Sequence, residues 1–200
     1  MRKADVERNT KETQIKIAVN LDGTGKYSVN TPNGFLTHML ELMSKHSGID
    51  MEIEVRGDTE IDLHHTVEDT GIVLGEAVAK ALGDKKGIER YASIMMPMDE
   101  VRVDVAIDLG GRCSLMYTAS QLNMNNEYAK EQGFDYSLIK EFMKAFSDNA
   151  QTTLHIDHKQ YAPTENKHHI AEAIFKGLAR TLKQAVRISG VDIPSTKGVI

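Results

Sequence analysis

The sequence holds one cysteine, Cys113, in 200 residues. A single thiol excludes an intrachain disulfide framework and fits a reducing compartment, so a cytoplasmic setting is expected. No run reaches the roughly 18 apolar residues that a membrane-spanning helix needs. The opening Met1-Arg2-Lys3-Ala4-Asp5 is charged, without the apolar stretch of a signal peptide. An excess of positive charge is also missing. The 24 Lys and Arg stand against 29 Asp and Glu, a formal net charge of −5, which argues against a broad nucleic-acid-binding surface. At 40% hydrophobic and 26% charged, the chain has the composition of a globular protein rather than a disordered one. Its length buries a substantial core without covalent staples. Histidine is what it does have: eight, with two adjacent pairs among them.

The hydrophobic pattern runs twice through one order. Residues 13–21 alternate, with Ile15, Ile17, Val19 and Leu21 apolar, as a half-buried strand does. Asp22-Gly23-Thr24-Gly25 turns the chain, and 26–30 reads as a returning hairpin partner. Residues 34–45 carry a helical stripe that Gly48 stops. A strand follows at 49–55, then a long helix at 64–82 closed by Gly83. The second pass has an alternating strand at 101–109, the Gly110-Gly111 turn and a partner strand at 113–118. A helix at 136–149, a short strand at 152–157 and a long helix at 167–188 complete it. At an offset of 88, Glu12 meets Glu100, and Ile15, Ile17, Val19 and Leu21 meet Val103, Val105, Ile107 and Leu109. At an offset of 104, His64-His65-x-x-Glu68 meets His168-His169-x-x-Glu172. The polar stretch 121–135 accounts for the difference. The pattern predicts an α+β fold made by internal duplication of a sheet-plus-two-helices unit. The halves are placed at 1–93 and 94–188, with a tail at 189–200.

The repeated HHxxE carries the chemistry. Side chains three and four apart share a helix face, so Glu68 is flanked by both His64 and His65. The adjacent imidazoles diverge by about 100° and reach toward two different metal sites. Imidazole with carboxylate suits Mn, Fe, Zn or Ni, and no cysteine cluster suggests structural zinc. Chance yields one HHxxE about 0.02 times in such a composition and two roughly 0.0003 times, so metal binding stands well ahead of solvated surface histidines. On the shorter helices His38 precedes His64, and Glu141 occupies the matching place before His168; each is a further candidate ligand. His46, His155 and His158 stay outside the set. Arg90, Arg112, Lys176 and the Pro194-Ser195-Thr196-Lys197-Gly198 tail offer donors for an anionic, phosphate-bearing substrate, although spacing alone does not show that they converge.

Taken together, His64-His65-Thr66-Val67-Glu68-Asp69, His168-His169-Ile170-x-Glu172, Gly34-Phe35-Leu36-x-His38-Met39, Pro97-Met98-Asp99-Glu100, Pro194-Ser195-x-Lys197-Gly198 and Arg8-x-Thr10-x-Glu12-Thr13 resemble the imidazoleglycerol-phosphate dehydratase family. The resemblance spans about 8–198. It implies a duplicated fold of the ribosomal protein S5 domain 2-like type and a lyase of histidine biosynthesis that removes water from imidazole glycerol phosphate. It also implies two Mn²⁺ per active site and a homo-oligomeric shell of 24 subunits with sites between them. By the same resemblance, His38, His64, His65, Glu68, His168, His169 and Glu172 are metal ligands, and Glu141 stands where many members have histidine. Arg90, Arg112, Lys176, Ser195 and Lys197 match the phosphate-binding set. Glu12 contacts substrate and is the candidate for proton transfer, with Glu68 and Glu172 completing the catalytic set. Two other readings stay open on the residues alone: a dinuclear metallohydrolase acting on a phosphoester, and a metal-dependent assembly protein without turnover.

Overall fold

A computed structural model describes residues 1–119, 122, 133–162 and 164–200. The first half contains β1 (Lys3–Asn9), β2 (Thr13–Asn20), β3 (Tyr27–Asn30), α1 (Gly34–Ser47), β4 (Asp50–Gly57) and α2 (His64–Leu82). The second contains β5 (Tyr91–Met98), β6 (Val101–Asp108), β7 (Ser114–Tyr117), α3 (Leu138–Asn149), β8 (Thr153–Lys159) and α4 (Lys167–Ala185). Each half builds a four-stranded sheet of identical connectivity, β1-β2-β4-β3 and β5-β6-β8-β7. The duplication read from the sequence is thus present in the topology. β2 and β6 begin 88 residues apart, whereas α2 and α4 begin 103 apart. The additional residues therefore fall between β7 and α3; most of the 121–135 stretch assigned to them lies outside the described residues.

Alternation along β2 and β6 buries one face, and the helices cover it: α2 on β1, β2 and β4, and α4 on β5 and β6. The helices of the halves then pack on one another, α2 against α3 and α1 against α4. Phe142 and Phe175, both fully buried, meet at 5.2 Å between ring centroids. Glycine makes the α2–α3 crossing close. A Cβ on Gly71 would lie 2.7 Å from the Phe142 carbonyl oxygen, and one on Gly75 would lie 2.7 Å from that of Phe146.

Three expectations need correction. β3 is not a hairpin partner of β2; it runs parallel to β4, as β7 runs parallel to β8. The cause lies in Asp50, whose Oδ1 accepts the Thr24 and Lys26 backbone N–H groups at 2.8 and 2.9 Å and draws the turn to the start of β4. Second, β1 and β5 are strands that the periodicity did not reveal. Both are sheet edges, with little apolar content in β1 and a proline, Pro97, in β5. Third, β5 begins at Tyr91, so the seam between the halves precedes it rather than following residue 93. Among the described residues, no helix is long and apolar enough to cross a membrane.

Candidate metal and substrate site

The ends of the helices carry the histidines. Asn33 caps α1, its side chain accepting from the N–H groups of Phe35 and Leu36 at 3.0 Å each, which fixes the first turn and hence His38. Asn166 caps α4 by accepting from the His168 N–H at 2.9 Å. At α2 the Asp62 carboxylate takes the His64 N–H at 2.7 Å. Arg8 Nε and Thr13 Oγ1 both bond the Asp69 carboxylate, at 3.0 and 2.5 Å, locking β1 and β2 to α2 beside the first histidine pair.

Where α1 meets α4, residues from the two halves converge. His38 Nε2 and His168 Nε2 lie 3.0 and 3.1 Å from the same atom, Glu172 Oε1. Phe35 supports the His168 ring edge-on at 5.3 Å. Lys176 donates to the other Glu172 oxygen and to Met98 Sδ, the latter at 3.4 Å. Burial works to raise the Glu172 carboxyl, but bonds from Lys176 and His38 outweigh it, holding the group down at about 2. Glu172 is therefore a carboxylate at neutral pH. Two imidazole nitrogens and a carboxylate oxygen, all within 4.8 Å of one another, form a donor set that suits a first-row divalent metal.

The second member of each histidine pair is held differently. His65 Nδ1 lies 3.0 Å from Asp58 Oδ2, and that bond raises the imidazole above its ordinary value. Glu12 Oε2 is 3.9 Å from the same nitrogen, too far for a hydrogen bond. His169 Nδ1 lies 3.0 Å from Glu100 Oε2 and 3.8 Å from Asp99 Oδ2. Glu100 Oε1 accepts the Asn166 backbone N–H at 2.8 Å. With that N–H and His169 as partners, the Glu100 carboxyl is pulled down to about 2.

Not every expected residue joins a cluster. His64 and Glu68 approach at 3.7 Å, both about half exposed, with no third ligand among the described residues. Glu141 lies on α3, partly buried, outside the two groups of possible metal ligands found among the described residues. Four of the five expected phosphate contacts do converge. Arg90, Arg112, Ser195 and Lys197 line one cleft of about 600 Å³, closed by 194–200. Lys176 is instead at the Glu172 cluster. Arg90, at φ +70°, is committed: Nε bonds Asp108 at 2.7 Å and one terminal nitrogen bonds the Pro194 carbonyl at 2.8 Å, tying down the tail.

Sequence reasoning missed Asp58, Asp99, Glu100 and Asp108 as parts of the site. For Glu100 the signal was its repeat match to Glu12. Asp58 and Asp108 follow or end strands and carry no periodic mark. His158, outside the candidate set, lies in β8 and meets Glu165 at 2.8 Å with both side chains almost wholly buried.

The family model for imidazoleglycerol-phosphate dehydratase matches residues 31–182. The imidazoleglycerol-phosphate dehydratase of Azorhizobium caulinodans is 48% identical over 203 positions, covering 100% of this chain and 99% of its own. That of Brucella suis is 50% identical over 200 positions, covering 98% and 95%. Among solved structures, the Staphylococcus aureus enzyme superposes with a TM-score of 0.80 at 37% identity, over 94% of this chain and 99% of that one. The Pyrococcus furiosus enzyme gives 0.78 at 34%, over 98% and 100%.

Proposed function

The chain belongs to the imidazoleglycerol-phosphate dehydratase family, hydro-lyases of histidine biosynthesis, and from that premise we propose a manganese-dependent dehydration of imidazole glycerol phosphate to imidazole acetol phosphate in the cytoplasm. The observation that carries this reading is the meeting of His38, His168 and Glu172 across the two halves. An ordinary surface histidine does not share one carboxylate oxygen with a second imidazole from another helix.

The chain's residues divide into three tasks. His38, His168 and Glu172 would hold one Mn²⁺; because adjacent imidazoles diverge, His64 and His65 would serve different metals, with Glu68 and His169 as further ligands. When bound, the metal supplies a Lewis acid beside the substrate ring. Arg112, Ser195 and Lys197 bind the phosphate in the tail cleft, with Arg90 keeping the tail in place. That contact orients the substrate, so that the reacting carbon need not search for its partner. Glu12, exposed and with no hydrogen bond to its carboxylate among the described residues, moves the carbon-bound proton as a general acid–base.

Among the described residues the α2 donors have no third ligand, and Met95, Met116 and Tyr91 stand exposed along the outer face of the second sheet. Both features support a homo-oligomer, of 24 subunits as in the resemblance, whose copies complete each two-metal site. The test is to incubate the purified protein with Mn²⁺ and imidazole glycerol phosphate and to weigh the product. Loss of one water, abolished by chelation, supports the reading. Release of inorganic phosphate points to a hydrolase instead, and assembly without turnover to a structural role for the metal.

A further inference from the structure

The two halves treat their paired glutamates unequally. Glu12 and Glu100 occupy matching places, just before β2 and just before β6. Each faces the second histidine of its own half's pair, at 3.9 Å for Glu12 and 3.0 Å for Glu100. In the second half the glutamate is fully engaged: one oxygen takes the Asn166 N–H at the start of α4, the other takes His169 Nδ1. In the first half Asp58, just past the end of β4, has taken the equivalent nitrogen of His65, with both of its oxygens within 3.3 Å. Asp58 is the less exposed partner, its side chain 13% accessible against 55% for Glu12.

A carboxylate only accepts, so each bonded Nδ1 must be the protonated nitrogen. The unprotonated lone pair is thereby assigned to Nε2 in both rings. We infer that Asp58 and Glu100 are positioning residues that set His65 and His169 as Nε2 ligands, and that Asp58, by taking this task in the first half, leaves Glu12 free for the substrate. The inference rests on the metal reading above and adds two residues to it. Carboxylates placed behind a ligating imidazole orient the ring and raise its basicity, and their loss lowers metal affinity about 10- to 100-fold.

The experiment uses Mn²⁺ alone, titrated into the metal-free protein, with free Mn²⁺ read from its electron paramagnetic resonance signal. Asp58→Asn and Glu100→Gln are each expected to weaken binding about 10- to 100-fold, with unchanged circular dichroism. Asp58→Glu and Glu100→Asp, which keep the carboxylate, should recover part of the loss. Glu12→Gln and Asp99→Asn should bind Mn²⁺ within about twofold of the parent, since neither side chain is bonded to a histidine. Parent-like affinity in both Asp58→Asn and Glu100→Gln overturns the inference while leaving the metal reading intact. A loss in Asp99→Asn equal to that in Glu100→Gln also overturns it, because the acidic pair would then be direct ligands. A parent protein that binds no Mn²⁺ removes the metal reading itself.

Discussion

Replacing Gly75 by alanine sets two effects of opposite sign against each other. In an exposed helix interior the change stabilises by about 1 kcal/mol, because alanine loses less backbone freedom than glycine. Here the new Cβ would stand 2.7 Å from the Phe146 carbonyl oxygen, 2.9 Å from the Ala150 nitrogen and 2.9 Å from Asn149 Cβ. Two of these atoms are backbone, so no side chain can simply swing away. Relief requires α3 to recede from α2 by about 0.5–1 Å, and such a gap forfeits a quarter to a half of each dispersion contact along the seam. Overpacking costs about 1–3 kcal/mol, and with backbone atoms in the way the upper part of that range, about 2–3, applies; after the gain of about 1 the net effect is destabilisation of about 1–2 kcal/mol. For a chain of this size that lowers Tm by about 2–8 °C. Thermal unfolding followed by circular dichroism at one fixed protein concentration measures it, since the proposed assembly would make Tm concentration-dependent. Gly34→Ala is the control: its added Cβ would meet nothing within 4 Å, and Tm should hold or rise. A Gly75→Ala variant that melts at or above the parent refutes the close-packed seam.

Other consequences concern caps, charge and the tail. Asn33→Ala removes two bonds to the start of α1 and should cost about 1 kcal/mol in urea unfolding. The Asp50 carboxyl is held below its ordinary value by the Thr24 and Lys26 backbone N–H groups. Its contribution is therefore full above the usual carboxylate range and is lost as pH falls through the lowered value. Asp50→Asn should cost about 1 kcal/mol at pH 7, discounted for solvent screening, and the gap from the parent should close as pH falls below the usual carboxylate range. Asp108→Asn loosens the clamp that Arg90 places on the Pro194 carbonyl. Steady-state kinetics should show KM for the phosphorylated substrate rising about tenfold, from about 1.5 kcal/mol of lost positioning, with kcat changed far less.

Much of this architecture was legible in the residues. The period of two in β2 and β6, the period of 3.6 in the four helices and the doubled HHxxE led to the duplicated α+β fold. Each of those signals comes from a face that must be buried or from side chains that must share a face. What escaped was set by contacts distant in sequence. The parallel pairing of β3 depends on Asp50 reaching back to Thr24 and Lys26, and a turn-plus-strand pattern looks the same whichever neighbour the strand joins. β1 is an edge strand with a solvated outer side, so its apolar content is low. The meeting of His38 with Glu172 spans 134 residues and depends on α1 packing against α4, which no local spacing encodes. Asp58 lies seven residues before His65 but outside α2, so helical arithmetic does not select it.

In the proposed site labour is divided: histidines and their carboxylates hold metal while Glu12 handles the proton. Mn²⁺ content and turnover of Glu12→Gln, measured on one preparation, test it most directly. Parent-like Mn²⁺ loading is expected, with turnover reduced about 10²- to 10⁴-fold, the usual contribution of a general acid–base. Full turnover with full loading would contradict it.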